Sequence, residues 1–116
     1  MAERRKLKRR HVIFYSRVFD LHTGQLMGHL MDITSEGMRL ISDEPTEVNQ
    51  TFLLRIDLPE DIMAKPYVKF EARSLWCKQD INPSFYNTGY QIFNMSAEDV
   101  ALIDNMIEEV GFGDEV

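Results

Sequence analysis

Residues 11–20 read HVIFYSRVFD, and this stretch sets the class of the fold. It is crowded with β-branched and aromatic side chains at a two-residue period. Val12, Phe14 and Ser16 fall on one face, Ile13 and Tyr15 on the other, as in a half-buried strand. Moving outward, Leu21-His22-Thr23-Gly24 makes a turn in which Gly24 supplies a positive φ. A second strand is expected over Gln25–Ile33 and a third over Met38–Ser42, followed by a loop at Asp43-Glu44-Pro45-Thr46-Glu47. Thr51–Leu58 alternates as a fourth strand and stops at Pro59. Val68–Lys78 makes a fifth and Thr88–Phe93 a sixth, with a polar hairpin loop holding Pro83 over Gln79–Asn87.

The period changes at the C-terminal end. Ser96 is placed to cap a helix, with Asp99 three residues on as the capping-box acid. Val100, Ile103, Ile107 and Val110 recur at helical spacing, and Gly111 ends the run. Six short antiparallel strands leave exposed edges unless they close on themselves. The expected fold is therefore mostly β: a six-stranded antiparallel barrel with a C-terminal α-helix and a flexible basic N-terminal arm. With 116 residues there is room for one core, so 1–116 reads as a single domain. Its parts are an arm over 1–10, a barrel over 11–94 and a helix over 96–110.

Charge is unevenly placed. The formal net charge is −6, yet Arg4, Arg5, Lys6, Lys8, Arg9 and Arg10 lie within the first ten positions, and no Lys or Arg follows Lys78. A protein that tracks nucleic acid spreads positive charge over a face. Here it is concentrated at a point, so nucleic acid is not an expected partner, although Phe14 and Tyr15 could stack single-stranded bases. The charged start, Met1-Ala2-Glu3-Arg4, is unlike a signal peptide, and no apolar run exceeds four residues, so membrane insertion is not expected. The single cysteine, Cys77, excludes an internal disulfide and fits a reducing cytoplasm. His11, His22 and His29 are not spaced to share a metal, and neither a Ser–His–Asp arrangement nor a P-loop is present. The expectation is a protein that is not an enzyme, with no cofactor and no metal.

Two constellations carry chemistry. Arg5 and Arg9 stand in an R-x-x-x-R spacing flanked by Arg4 and Arg10. A guanidinium fork matches phosphate oxygens, and also guanine O6 and N7, bidentately. Read plainly, the same run is a solvated tail. The second constellation is Asp32-Ile33-Thr34-Ser35-Glu36-Gly37, between the second and third strands. As plain structure, Asp32 would bond the backbone two residues on and Gly37 would take a conformation other residues avoid. As a site, Asp32 could accept the N1–H and N2–H donors of a guanine, Thr34 could bond a phosphate or backbone group, and Gly37 would admit a close backbone approach.

In this order and at this distance, R-x-x-x-R followed by D-x-T-x-x-G resembles the PilZ domain, a bacterial receptor module for cyclic di-GMP. Trp76 and the segment Gly89-Tyr90-Gln91-Ile92-Phe93 are similar to the family's late-strand tryptophan and Gly-x-x-Phe ending, with the spacing to Phe93 one residue longer. The resemblance implies a six-stranded barrel with a C-terminal helix. It further implies that Arg5 and Arg9 grip guanine edges and phosphates, that Asp32 holds a guanine, and that Thr34 stands where serine is usual. Gly37 matches the pattern, Arg4 resembles members that take a stacked pair of ligands, and Arg10 competes with Arg9 for the second arginine role. The implied function is second-messenger reception relayed to a partner protein. The alternative is an adaptor of the same fold that binds no nucleotide and acts through protein contacts.

Overall fold

The computed structural model describes residues 16–58 and 66–110, with side chains as far as Asn105. Six strands follow one another: β1 (Arg17–Asp20), β2 (Leu26–Ile33), β3 (Gly37–Ser42), β4 (Thr51–Asp57), β5 (Tyr67–Gln79) and β6 (Tyr86–Phe93). One helix, α1 (Ala97–Val110), ends the described chain. All neighbouring strands are antiparallel, in the order β1-β2-β3-β6-β5-β4, and β4 pairs back onto β1 to close the barrel. Closure gives each of the six strands a paired neighbour on both sides, which removes the long open edges that template pairing with another chain.

Alternation along each strand fills the interior. Val18, Leu30, Leu40, Leu54, Ile56, Val68 and Phe70 are all at or below 1% exposure. Each such side chain, fully buried, contributes about 1.5–3 kcal/mol. Ile103 brings α1 into the same cluster, with Met95 and Leu102 packed against it. The Asp99 amide donates to Ser96 Oγ at 3.1 Å and the Val100 amide to the Ser96 carbonyl at 2.9 Å, which is the expected cap. Asp99 is buried, whereas Glu98 and Asp104 are exposed.

The strand limits differ from expectation at the β5–β6 hairpin. β5 runs from Tyr67 through Gln79 and β6 begins at Tyr86, so the connecting loop shrinks to 80–85. Asp80 is the reason. Its carboxylate accepts the Asn87 side-chain amide at 2.7 Å and the Asn82 N–H at 3.1 Å, and its own N–H donates to the Phe85 carbonyl. The Asn87 bond, reinforced by that of Asn82, holds the Asp80 carboxyl below its ordinary value. Gly24 has the expected positive φ, 77°. His11–Tyr15, Pro59 and Gly111 lie outside the described residues, and Ile107 and Val110 lie beyond the last described side chain.

Candidate functional site

Two β-bulges build the site. Between β2 and β3 the pairing passes from Leu30↔Leu40 directly to Asp32↔Arg39, leaving Met31 as the extra residue. Unbroken alternation would send Asp32 inward after Gly28 and Leu30. The bulge turns Asp32 out and brings Ile33 into the core at 5% exposure. Between β5 and β6 the register passes from Ser74↔Tyr90 to Trp76↔Gly89, with Leu75 extra. Here the bulge leaves Leu75 and Trp76 both exposed and returns Cys77 toward the interior, where it is half-buried and accepts the Thr46 N–H and the Thr88 hydroxyl at 3.4 Å each.

Because Arg39 also pairs with Gly89, the result is a row across four strands: Asp32, Arg39, Gly89 and Trp76. Arg39 Nη2 lies 3.0 Å from Asp32 Oδ2, and both side chains are about half exposed. Arg39 Nε is buried with no hydrogen-bond partner. Gly89 is needed for close approach: a β carbon there would overlap Nε1 and Cε2 of the Trp76 indole, which lies across its backbone. Lys78 Nζ stands 5.8 Å from the indole centroid. The row borders a cavity of about 420 Å³ that also takes in Thr34, Gly37 and Leu75. A larger hollow, about 800 Å³, lies at the opposite end of the β2–β3 ladder, between 25–29 and 41–47, and contains none of these residues.

The turn joining β2 to β3 is built by Thr34 and not by Asp32. The Thr34 N–H donates to the Gly37 carbonyl at 2.8 Å, and its hydroxyl oxygen accepts the N–H groups of Glu36 and Gly37 at 3.2 Å each. Asp32, expected to bond the backbone two residues on, is instead committed to Arg39. Gly37 does not adopt the positive φ expected of it. Its role is close packing, since a β carbon would stand 3.0 Å from the Tyr90 carbonyl oxygen. The Ile92 N–H donates to the Glu36 carbonyl at 2.8 Å and pins the turn against β6.

Asp32, Thr34 and Gly37 are thus brought together on one rim. Arg4, Arg5, Arg9 and Arg10 lie outside the described residues. Among the described residues, no three His, Cys, Asp or Glu side chains cluster to hold a metal ion, and no helix is long and apolar enough to cross a membrane. Sequence reasoning missed Arg39 as a member of the site, and it took Trp76 only as part of a family pattern. Both follow from hairpin register, for which a bulge gives no local signal.

Together, the closed barrel, its terminal helix and a polar row ending in a flat indole define a small β-barrel module with a shaped outer face. The PilZ domain model matches residues 3–109, and the chain belongs to the PilZ domain family. No curated protein matches the sequence. Among solved structures, the Bacillus subtilis inhibitor of motility MotI/DgrA is similar, with a TM-score of 0.65 and 15% identity over 82% of this chain and 46% of that one. The Borreliella burgdorferi PlzA protein, solved in complex with c-di-GMP, superposes with a TM-score of 0.58 and 10% identity over 87% of this chain and 47% of that one. The chain spans about half the length of these two proteins. At such identities the likeness is one of fold.

Proposed function

We propose that this chain is a cytoplasmic, non-catalytic receptor for cyclic di-GMP that relays ligand binding to a partner protein. The observation that carries the reading is where the chain enters the barrel. The Leu30 N–H donates to the Ser16 carbonyl at 2.9 Å, so Ser16, the first described residue, lies beside Leu30 of β2, two positions before Asp32. Six residues lie between Arg9 and Ser16, and the seven steps of chain from one to the other reach at most about 25 Å. In this reading Arg5 and Arg9, flanked by Arg4 and Arg10, fold back to the rim that carries Asp32, Thr34 and Gly37.

In this reading Asp32 accepts the N1–H and N2–H of one guanine, while the arginines take phosphates and the O6/N7 edge of a base. Trp76 offers a π face on which a base can stack. Thr34 acts mainly by shaping the turn, because its hydroxyl already serves two backbone amides. Several like charges in the arm repel one another, and a ligand with two phosphates offsets that repulsion. The signal would then be the arm closing over the rim.

The test is isothermal titration with cyclic di-GMP, with GTP as control. Saturable binding of the cyclic dinucleotide alone is expected, abolished by Arg5→Ala and by Asp32→Ala without a change in thermal melting. Unchanged affinity in both variants would remove this site.

A further inference from the structure

We propose that Arg39 is a specificity-determining residue of this site: it reads the O6/N7 edge of the guanine whose N1–H and N2–H are held by Asp32. The inference rests on the cyclic di-GMP reading above and adds a contact from the barrel wall, independent of the arm.

Three observations carry it. First, Asp32 and Arg39 are directly paired across β2 and β3, and their side chains meet at 3.0 Å on the outer face. Second, Arg39 has donors to spare. A guanidinium carries five N–H groups, and the Arg39 side chain stays 43% exposed while its Nη2 meets Asp32. Third, Arg39 stands between Asp32 and Gly89 in the row that ends at Trp76, and it lines the same cavity.

Guanine places its O6 next to N1. A carboxylate that takes N1–H through the oxygen already bonded to Arg39 therefore leaves a guanidinium N–H facing O6, with N7 one position further. The ion pair need not break. It becomes part of a two-sided clamp in which an acceptor meets the donor edge and a donor meets the acceptor edge. Adenine fails on both counts: its N1 carries no proton for Asp32, and its N6 amino group sets a donor against the donors of Arg39. Selection of guanine over adenine would then be written into the β2–β3 ladder.

Lysine separates this role from a plain counter-ion, since it keeps the charge beside Asp32 and loses the fork. Affinities for cyclic di-GMP, cyclic di-AMP and a 7-deazaguanine analogue of cyclic di-GMP would be measured by titration calorimetry on the wild type, Arg39→Lys and Arg39→Ala, with thermal melting as the fold control. Both variants are expected to melt like the wild type and to bind cyclic di-GMP about 5- to 150-fold more weakly. Both should narrow the preference over cyclic di-AMP. Replacing N7 by carbon should cost the wild type more than it costs Arg39→Ala. Retained affinity in Arg39→Lys, tighter binding in Arg39→Ala, or an equal N7 penalty in all three proteins would overturn the assignment while leaving the receptor reading intact. If the wild type did not bind cyclic di-GMP, the receptor reading would fall and this inference with it.

Discussion

Substituting Gly89 by alanine sets two effects of known sign against each other. Gly89 lies in β6 and its φ is not in the left-handed region, so alanine restricts the unfolded chain and on that ground alone stabilises by about 0.4–1 kcal/mol. Against this, the new methyl would overlap the Trp76 indole and come within 2.7 Å of its Cζ2. Trp76 is 38% exposed, so its ring yields by lifting outward. A tryptophan covers about 150–250 Å² when buried. Lifting a ring that is about three-fifths covered would uncover on the order of 60 Å², a loss of about 1.5 kcal/mol. Gly89→Ala should therefore destabilise the wild type by about 0.5–1 kcal/mol. In a Trp76→Ala background the overlap is gone and the same change should stabilise. Urea denaturation of the four proteins closes a double-mutant cycle with an expected coupling of about 1.5 kcal/mol. Additive effects, or destabilisation of equal size in both backgrounds, would show that the indole does not rest on Gly89.

Two further predictions concern the scaffold. Gly28 has φ 155° and a β carbon there would stand 2.6 Å from the Ile41 carbonyl oxygen, whereas Gly24 has φ 77° with nothing within 4 Å. Gly28→Ala must displace backbone and should cost about 2–3 kcal/mol, Gly24→Ala only about 1 kcal/mol of local strain, and their urea midpoints should rank accordingly. Tyr90 is 2% exposed, and burial holds its phenol above the ordinary value of 10.0. A folded-state value raised above the unfolded one gives stability that is complete below that ordinary value and lost as pH rises through the folded value. Stability measured on the alkaline side should fall less steeply in Tyr90→Phe than in the wild type, and identical slopes would contradict the assignment.

Much of the architecture is legible in local pattern. The alternation in Thr51–Leu58, the turn at Gly24 and the cap at Ser96 each depend on residues within a few positions of one another, so a linear reading reaches them. The ends of β5 and β6 were misjudged because Asp80 ties together residues on both sides of the loop, which extends the pairing beyond where strand composition fades. The turn at 32–37 was found but assigned to the wrong side chain. Asp32 and Thr34 are both competent to bond a nearby amide, and the competition is decided by Arg39, which lies outside the turn and holds Asp32 away from it.

The sequence by itself determined the barrel-and-helix class, because hydrophobic period is a local property that burial then enforces. It also carried the family's motif residues in order. Only the tertiary structure decided which of them form a surface. Asp32 and Trp76 occupy positions that unbroken alternation would bury, and a bulge in each hairpin turns them outward onto the row shared with Arg39 and Gly89. Where a bulge falls depends on how two strands share their hydrogen bonds across a closed sheet. That is a balance among residues far apart in the chain, and no single segment contains it.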